Sequence, residues 1–257
     1  MSEYFFKTEK LSVGYDNKPI VKDIEIGINK GEILSIIGPN GAGKSTVLKS
    51  IAKQLEKIGG AVYLDEKEIS DYTGNELAKK MSVLFTDRIK GDLMSVAEVV
   101  SAGRYPYTGH FGVLSAKDKE IVDNTMKTVG IYDLKDLDFN KISDGQKQRV
   151  LLAKVLCQEP GIILLDEPTS FLDIRYKLEF LSVLERMKKE KNISVIMSVH
   201  ELDLARNISD KVLCLKGEYA DKFGTPDEIF TREYICELFE IDERINSFSN
   251  EKGIDIF

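Results

Sequence analysis

The chain has 257 residues, of which 42% are hydrophobic and 31% charged, and its formal net charge is −7. This length holds one large α/β domain or a domain with a small appendage, and the composition excludes a mainly disordered chain. The negative balance argues against broad affinity for nucleic acid, and no apolar run approaches the roughly 18–20 residues needed to span a bilayer.

In chain order, the segment Met1 to Lys7 has no basic stretch leading into an apolar block, so no secretory signal is expected and the protein is placed in the cytosol. Alternating apolar residues over 4–13 and 20–28, separated by Asp16-Asn17-Lys18-Pro19, predict two antiparallel strands. Ile33-Leu34-Ser35-Ile36-Ile37 is almost wholly apolar between Gly31 and Gly38, the pattern of a buried central strand. A helix over 44–55 should follow, then a strand over 81–85. From there the spacing turns helical, with Val96, Val99 and Val100, then Ile121, Val122, Met126 and Val129, which predicts a helical subdomain over about 88–155. Strands return at 162–165, 194–199 and 211–215, with helices near 176–189 and 202–207 between them. Strand-helix alternation of this kind means a parallel sheet core. A short helix is expected from Pro226 to about Phe239, and the tail 241–257 is expected to form at most a hairpin. Cys157, Cys214 and Cys236 are odd in number and widely spaced, as in reduced, structural thiols.

Gly38-Pro39-Asn40-Gly41-Ala42-Gly43-Lys44-Ser45-Thr46 matches G-x-x-x-x-G-K-[ST] between the predicted strand and helix. Glycines let consecutive backbone N–H groups wrap a phosphate, and the helix N-terminus adds positive potential. Lys44 then reaches the β- and γ-phosphates, and Ser45 ligates Mg²⁺. Ile162-Ile163-Leu164-Leu165-Asp166-Glu167 is a buried strand ending in two acids, at the strand end where ligands of parallel sheets collect. Asp166 is placed to hold Mg²⁺ and Glu167 to take a proton from, or orient, the water that attacks the γ-phosphate. His200 closes another apolar strand, whereas His110 has no partner motif and reads as a surface loop residue.

Together these residues resemble the ABC ATPase family over about residues 3–240, with 241–257 as a tail. The resemblance implies a P-loop α/β fold with a RecA-like mixed sheet, an N-terminal antiparallel β subdomain and an inserted helical subdomain. It adds a signature sequence at Ile142-Ser143-Asp144-Gly145-Gln146, a D-loop at Ser170-Phe171-Leu172-Asp173, a switch histidine at His200 and an adenine-stacking aromatic at Tyr15. In this family two cassettes meet head to tail, so Ser143, Gly145 and Gln146 of one copy face the ATP held by the loop of another. The implied cofactors are ATP and Mg²⁺. The implied partners are a second ATPase subunit, integral membrane permease subunits and, indirectly, a substrate-binding protein, with the cassette peripheral on the inner face of the membrane and no role for nucleic acid.

Two departures from the family pattern stand out. Asp144 replaces the first signature glycine; an acid about 4 Å from a γ-phosphate would cost on the order of 1 kcal/mol even in water, so its carboxylate is expected to point away. Thr86 stands where the family has a glutamine near Mg²⁺ and the attacking water, and is the weakest of the metal-site assignments. Ser101-Ala102-Gly103-Arg104-Tyr105-Pro106-Tyr107-Thr108-Gly109 resembles the G-R-Y-P stretch of ATPases serving iron-siderophore, haem and cobalamin importers. The same residues also read as a plain helix end with glycine and proline stop signals. A soluble assembly ATPase of the iron-sulfur type, or a cassette for an unrelated cargo, are the competing functions.

Overall fold

The computed structural model describes residues 4–85, 94–109, 111–170 and 172–242. Thr86, His110, Phe171 and the tail from 243 onward lie outside the described residues. The chain runs β1 (Phe6–Tyr15), β2 (Lys18–Ile28), β3 (Ile33–Ile37), α1 (Lys44–Ile51), β4 (Gly59–Leu64), β5 (Lys67–Glu68), α2 (Gly74–Lys80) and β6 (Met81–Leu84). Then follow α3 (Val96–Ser101), α4 (Ala116–Val129), α5 (Asp144–Cys157), β7 (Ile162–Asp166), α6 (Ile174–Lys191), β8 (Ser194–Ser198), α7 (Leu202–Ile208), β9 (Lys211–Lys216), β10 (Tyr219–Gly224), α8 (Pro226–Ile229) and α9 (Arg232–Leu238). Among the described residues, no helix is long and apolar enough to cross a membrane. The chain divides into two compact units, Met1–Asp71 with Val195–Phe257, and Tyr72–Ser194.

In the first unit β1 and β2 form the expected antiparallel hairpin, from Phe6↔Ile28 to Tyr15↔Lys18. The turn is tighter than the four residues the sequence suggests: Asp16 and Asn17 alone make it, at φ 50° and 57°. Two left-handed residues in succession match the right-handed twist of the strands they join, and Asp and Asn tolerate that region better than most. β4 adds to the outer side of β1, and β5 to β4. β3 pairs in parallel with β8 on one side and β9 on the other, which is why all five of its residues are buried and its sequence is continuously apolar. β10 connects the two arrangements, antiparallel to β9 and parallel to β2. The result is a mixed sheet with the strand order β5-β4-β1-β2-β10-β9-β3-β8. α1 stops at Ile51 rather than 55, because Lys53 turns left-handed at φ 56° and the Gln54 and Leu55 N–H groups fold back onto Lys49 O.

The second unit pairs β6 with β7 in parallel, from Met81↔Ile162 to Leu84↔Leu165. Its helices α3, α4 and α5 start on one device repeated: Ser95 with Glu98, Ser115 with Asp118 and Ser143 with Gln146 are capping boxes, each hydroxyl accepting from the third backbone N–H while that residue's side chain accepts from the cap N–H. Val96, Val99 and Val100 of α3, Val122, Met126 and Val129 of α4, and Val150, Leu152 and Ala153 of α5 are all buried. α6 buries Phe180, Val183, Leu184 and Met187, a 3–4 spacing that marks one face of a long amphipathic helix. Burial also pushes the thiols of Cys157 and Cys214 up to about 12, which keeps them protonated and unreactive.

Candidate functional site

In the first unit the loop from Gly38 leaves β3 and enters α1 at Lys44. Gly38, Gly41 and Gly43 lie at φ 151°, 80° and 90°. A Cβ on Gly43 would sit 2.7 Å from Val21 Cγ2 and 2.9 Å from Ile20 Cγ2, whereas nothing lies within 4 Å of one on Gly41. Glycine is therefore required at both, at Gly43 by close packing as well and at Gly41 by backbone direction alone. Lys44 is only 5% exposed, and its Nζ donates to Gly38 O at 2.8 Å and Pro39 O at 3.0 Å. The ammonium is thus held inside the curve of the loop by the loop's own carbonyls. α1 has no side-chain cap at its N-terminus and no acid in its first turn. The dipole at its start favours an anion, and Asn40 and Gly41 beside it are exposed. Ala42 and Thr46 are buried and Ser45 half-buried. This donor set fits a chain of phosphates.

Tyr15 ends β1 and is 48% exposed. The β2 arm of its own hairpin, through Ile20 and Val21, is what lies against Gly43, so the exposed ring belongs to an element in contact with the loop. His200 follows β8. Ile36 of β3 pairs with Ser198 and accepts from the Val199 N–H at 3.2 Å, so the exposed His200 emerges beside the end of β3, where the loop begins. The first unit thereby sets His200 beside the strand that leads into the loop, and the hairpin that carries Tyr15 against Gly43.

In the second unit Asp166 is buried at the end of β7, at 4% exposure. Glu167, the next residue, has φ 48°, a left-handed backbone that costs a non-glycine residue of order 1 kcal/mol or more. The turn closes by Ser170 N–H to Glu167 O at 3.2 Å, and the Ser170 hydroxyl reaches Glu167 Oε2 at 3.4 Å. The signature residues begin α5. Ser143 is its N-cap, with its N–H donating to Gln146 Oε1 at 2.9 Å and its Oγ accepting from the Gln146 N–H at 3.3 Å. Asp144, in the first turn, has its side chain 90% exposed and 3.4 Å from Lys147 Nζ. That position favours an acid through the helix dipole. Gly145 is buried: a Cβ there would stand 2.5 Å from Tyr176 Cδ2. Asp173 caps α6 by accepting the Tyr176 N–H at 3.0 Å. Signature and D-loop residues are accordingly packed together, through a tyrosine that no motif reading singles out.

The segment 101–109 is a 3₁₀ helix over Ala102–Tyr107 that continues α3. Its arginine faces inward. Arg104, 3% exposed, donates to Asp118 Oδ1 at 3.0 Å, Glu159 Oε2 at 2.9 Å and Cys157 O at 2.8 Å, and stacks 4.0 Å from the Tyr107 ring centroid. Gly103 packs on α5, where a Cβ would lie 2.2 Å from Lys154 O. Gly103 and Arg104 thus hold the segment in place, and Tyr105 is left 62% exposed. Sequence pattern alone carries no signal that a lone arginine is buried.

The ABC transporter family profile matches residues 21–170. An uncharacterised ABC transporter ATP-binding protein of Methanocaldococcus jannaschii is 43% identical over 91% of this chain and 81% of its own length. The iron(3+)-hydroxamate import ATP-binding protein of Bacillus subtilis is 37% identical over 93% of this chain and 88% of its own. Among solved structures, a chain from an inward-facing ABC transporter described as of metal-chelate type superposes with a TM-score of 0.81 at 27% identity, covering 91% of this chain and 88% of that one.

Proposed function

The chain belongs to the ABC transporter family, and from that premise we propose that it is the ATP-hydrolysing subunit of a membrane importer whose cargo is an iron-siderophore or a related metal chelate such as haem or cobalamin. The observation that carries the ATP reading is the loop Gly38–Thr46, with its left-handed glycines, its buried Lys44 and the uncapped start of α1. The B. subtilis relative and the G-R-Y-P segment support the class of cargo.

In this reading Tyr15 stacks on adenine, while backbone N–H groups from Gly38 to Thr46 cradle the phosphates and Lys44 neutralises the β- and γ-oxygens. Ser45 and Asp166 would hold Mg²⁺, which when bound draws charge from the phosphate oxygens; Thr86 is the weaker third candidate. Glu167 orients the attacking water and accepts its proton, and His200 donates toward the γ-phosphate. Ser143, Gly145 and Gln146 act on the ATP of a second copy, where the start of α5 offers N–H groups and a helix dipole. The capping box shapes this role: Ser143 Oγ is already an acceptor within α5, so its proton remains available to donate outward. Asp173 contributes by fixing the start of α6. The partners are a second cassette, a permease in the membrane and, through it, a substrate-binding protein, with this subunit at the inner membrane face.

Whole-cell accumulation of labelled ferric siderophore, haem and cobalamin, compared between cells carrying the wild-type chain and Lys44→Ala, tests the assignment. Loss of uptake of one of the three is expected. Equal uptake of all three would overturn the importer reading.

A further inference from the structure

A side-chain amide of α5 reaches the turn that carries Glu167. Gln148, half-buried in α5, donates from Nε2 to the Pro168 carbonyl at 2.8 Å. Pro168 immediately follows Glu167, whose left-handed φ of 48° persists only where surrounding contacts over-determine it. Within the turn those contacts are local, Ser170 N–H to Glu167 O and Leu172 N–H to Thr169 O, each 3.2 Å. Gln148 supplies a tie from another element. One turn earlier the same helix is fixed by Gly145, which lies against the Tyr176 ring, and Tyr176 is held in turn by Asp173 and lies 5.2 Å from the Arg149 guanidinium. A shift of α5 along or about its axis therefore moves the Pro168 carbonyl, because hydrogen bonds of this length tolerate little stretch.

We propose that Gln148 is a positioning residue that ties the backbone aiming Glu167 to the seat of α5, so that engagement of the α5 N-terminus by another subunit's nucleotide is read at the catalytic turn of the same chain. The inference rests on the proposed roles of Glu167 and of the α5 N-terminus. Gln148 touches neither water nor phosphate in this scheme; its effect is on the direction in which Glu167 is held.

The test is Gln148→Met, which keeps the length of the side chain and removes the donor. ATP turnover should fall about tenfold or more, since a misplacement near 1 Å can cost up to about 10²-fold, while KM for ATP stays within about twofold. Hydrogen exchange should quicken at the Ser170 and Leu172 amides and not at those of Val150 to Leu156 in α5. Wild-type kcat with unchanged exchange overturns the proposal, as does a parallel rise in exchange along α5, which would make the residue merely structural. Gln148→Glu, of the same size but an acceptor, repeats the measurement if the methionine variant does not fold, and failure of both to fold also counts against a positioning role. Glu167→Gln run alongside separates the two readings: if it retains turnover, the assignment of the base has failed and not the tie.

Discussion

Replacing Arg104 by methionine removes a guanidinium from a site where it is 3% exposed and leaves an apolar stem of similar reach. Three charge-assisted hydrogen bonds disappear, to Asp118 Oδ1, Glu159 Oε2 and Cys157 O. They do not count equally. The Glu159 side chain is 45% exposed and can be rehydrated, whereas that of Asp118 is 9% exposed and stays inside. Breaking a buried pair by removing one partner costs roughly 3–5 kcal/mol. Asp118 retains the Ser115 N–H at 3.0 Å and the Ser115 hydroxyl at 2.5 Å, so the lower end, about 3 kcal/mol, applies. For a domain of this size that is a fall in melting temperature of roughly 6–12 °C. Urea and thermal unfolding followed by circular dichroism measure it, with Tyr105→Ala, at an exposed neighbouring position, expected to stay within about 0.5 kcal/mol of wild type. A loss below about 1 kcal/mol for Arg104→Met would refute the view that this arginine anchors the 101–109 segment.

The pH dependence should carry the same signature. The Ser115 hydroxyl first, then its N–H and the Arg104 guanidinium, hold the Asp118 carboxyl below its ordinary value against the opposing effect of burial. A carboxyl depressed in the folded state stabilises above its unfolded pKa, near 4, and that stability is lost as pH falls through the folded value. The stability gap between wild type and Arg104→Met should therefore narrow in acid, as read from urea melts between pH 7 and 3. Glu167→Gln should bind ATP and dimerise but hydrolyse it at least about 100-fold more slowly, measured by phosphate release. Gly145→Ala drives a Cβ into the Tyr176 ring and should cost about 1–3 kcal/mol in urea melts, with Tyr176→Leu in the same chain restoring part of it. Gly43→Ala meets both a left-handed φ of 90° and Val21 Cγ2 at 2.7 Å, and should weaken ATP binding at least about tenfold by titration calorimetry.

Local chemistry made much of this molecule legible from its amino-acid order. The run Ile33 to Ile37 can only be buried on both faces, the loop Gly38 to Thr46 needs its glycines for backbone reasons that neighbours do not alter, and the S-x-x-E/D/Q starts of α3, α4 and α5 are determined within four residues. Elements with weak internal signals were missed. β4 opens on Gly59-Gly60 and β10 reads Tyr-Ala-Asp-Lys-Phe-Gly, and pairing with β1 in the one case and with β9 and the distant β2 in the other makes them regular; α2, seven residues long, starts on a Thr73–Glu76 capping box within a segment otherwise short of apolar periodicity.

The candidate site divides along the same line. Which residue types bind phosphate, ligate a cation or take a proton follows from the side chains themselves, and the motifs Gly38–Thr46, Asp166-Glu167 and Ser143–Gln146 displayed them. Tertiary structure decided how they are held. Arg104, read in sequence as part of a cargo-class motif, turns inward because Asp118, fourteen positions on, and Glu159, fifty-five on, converge on it. Gly145 is required by Tyr176, and the aim of Glu167 depends on Gln148, twenty residues from the carbonyl it holds. Sequence specifies chemistry and local periodicity because both act over a few bonds; contact between distant residues depends on how the whole chain closes, and only the folded structure contains it.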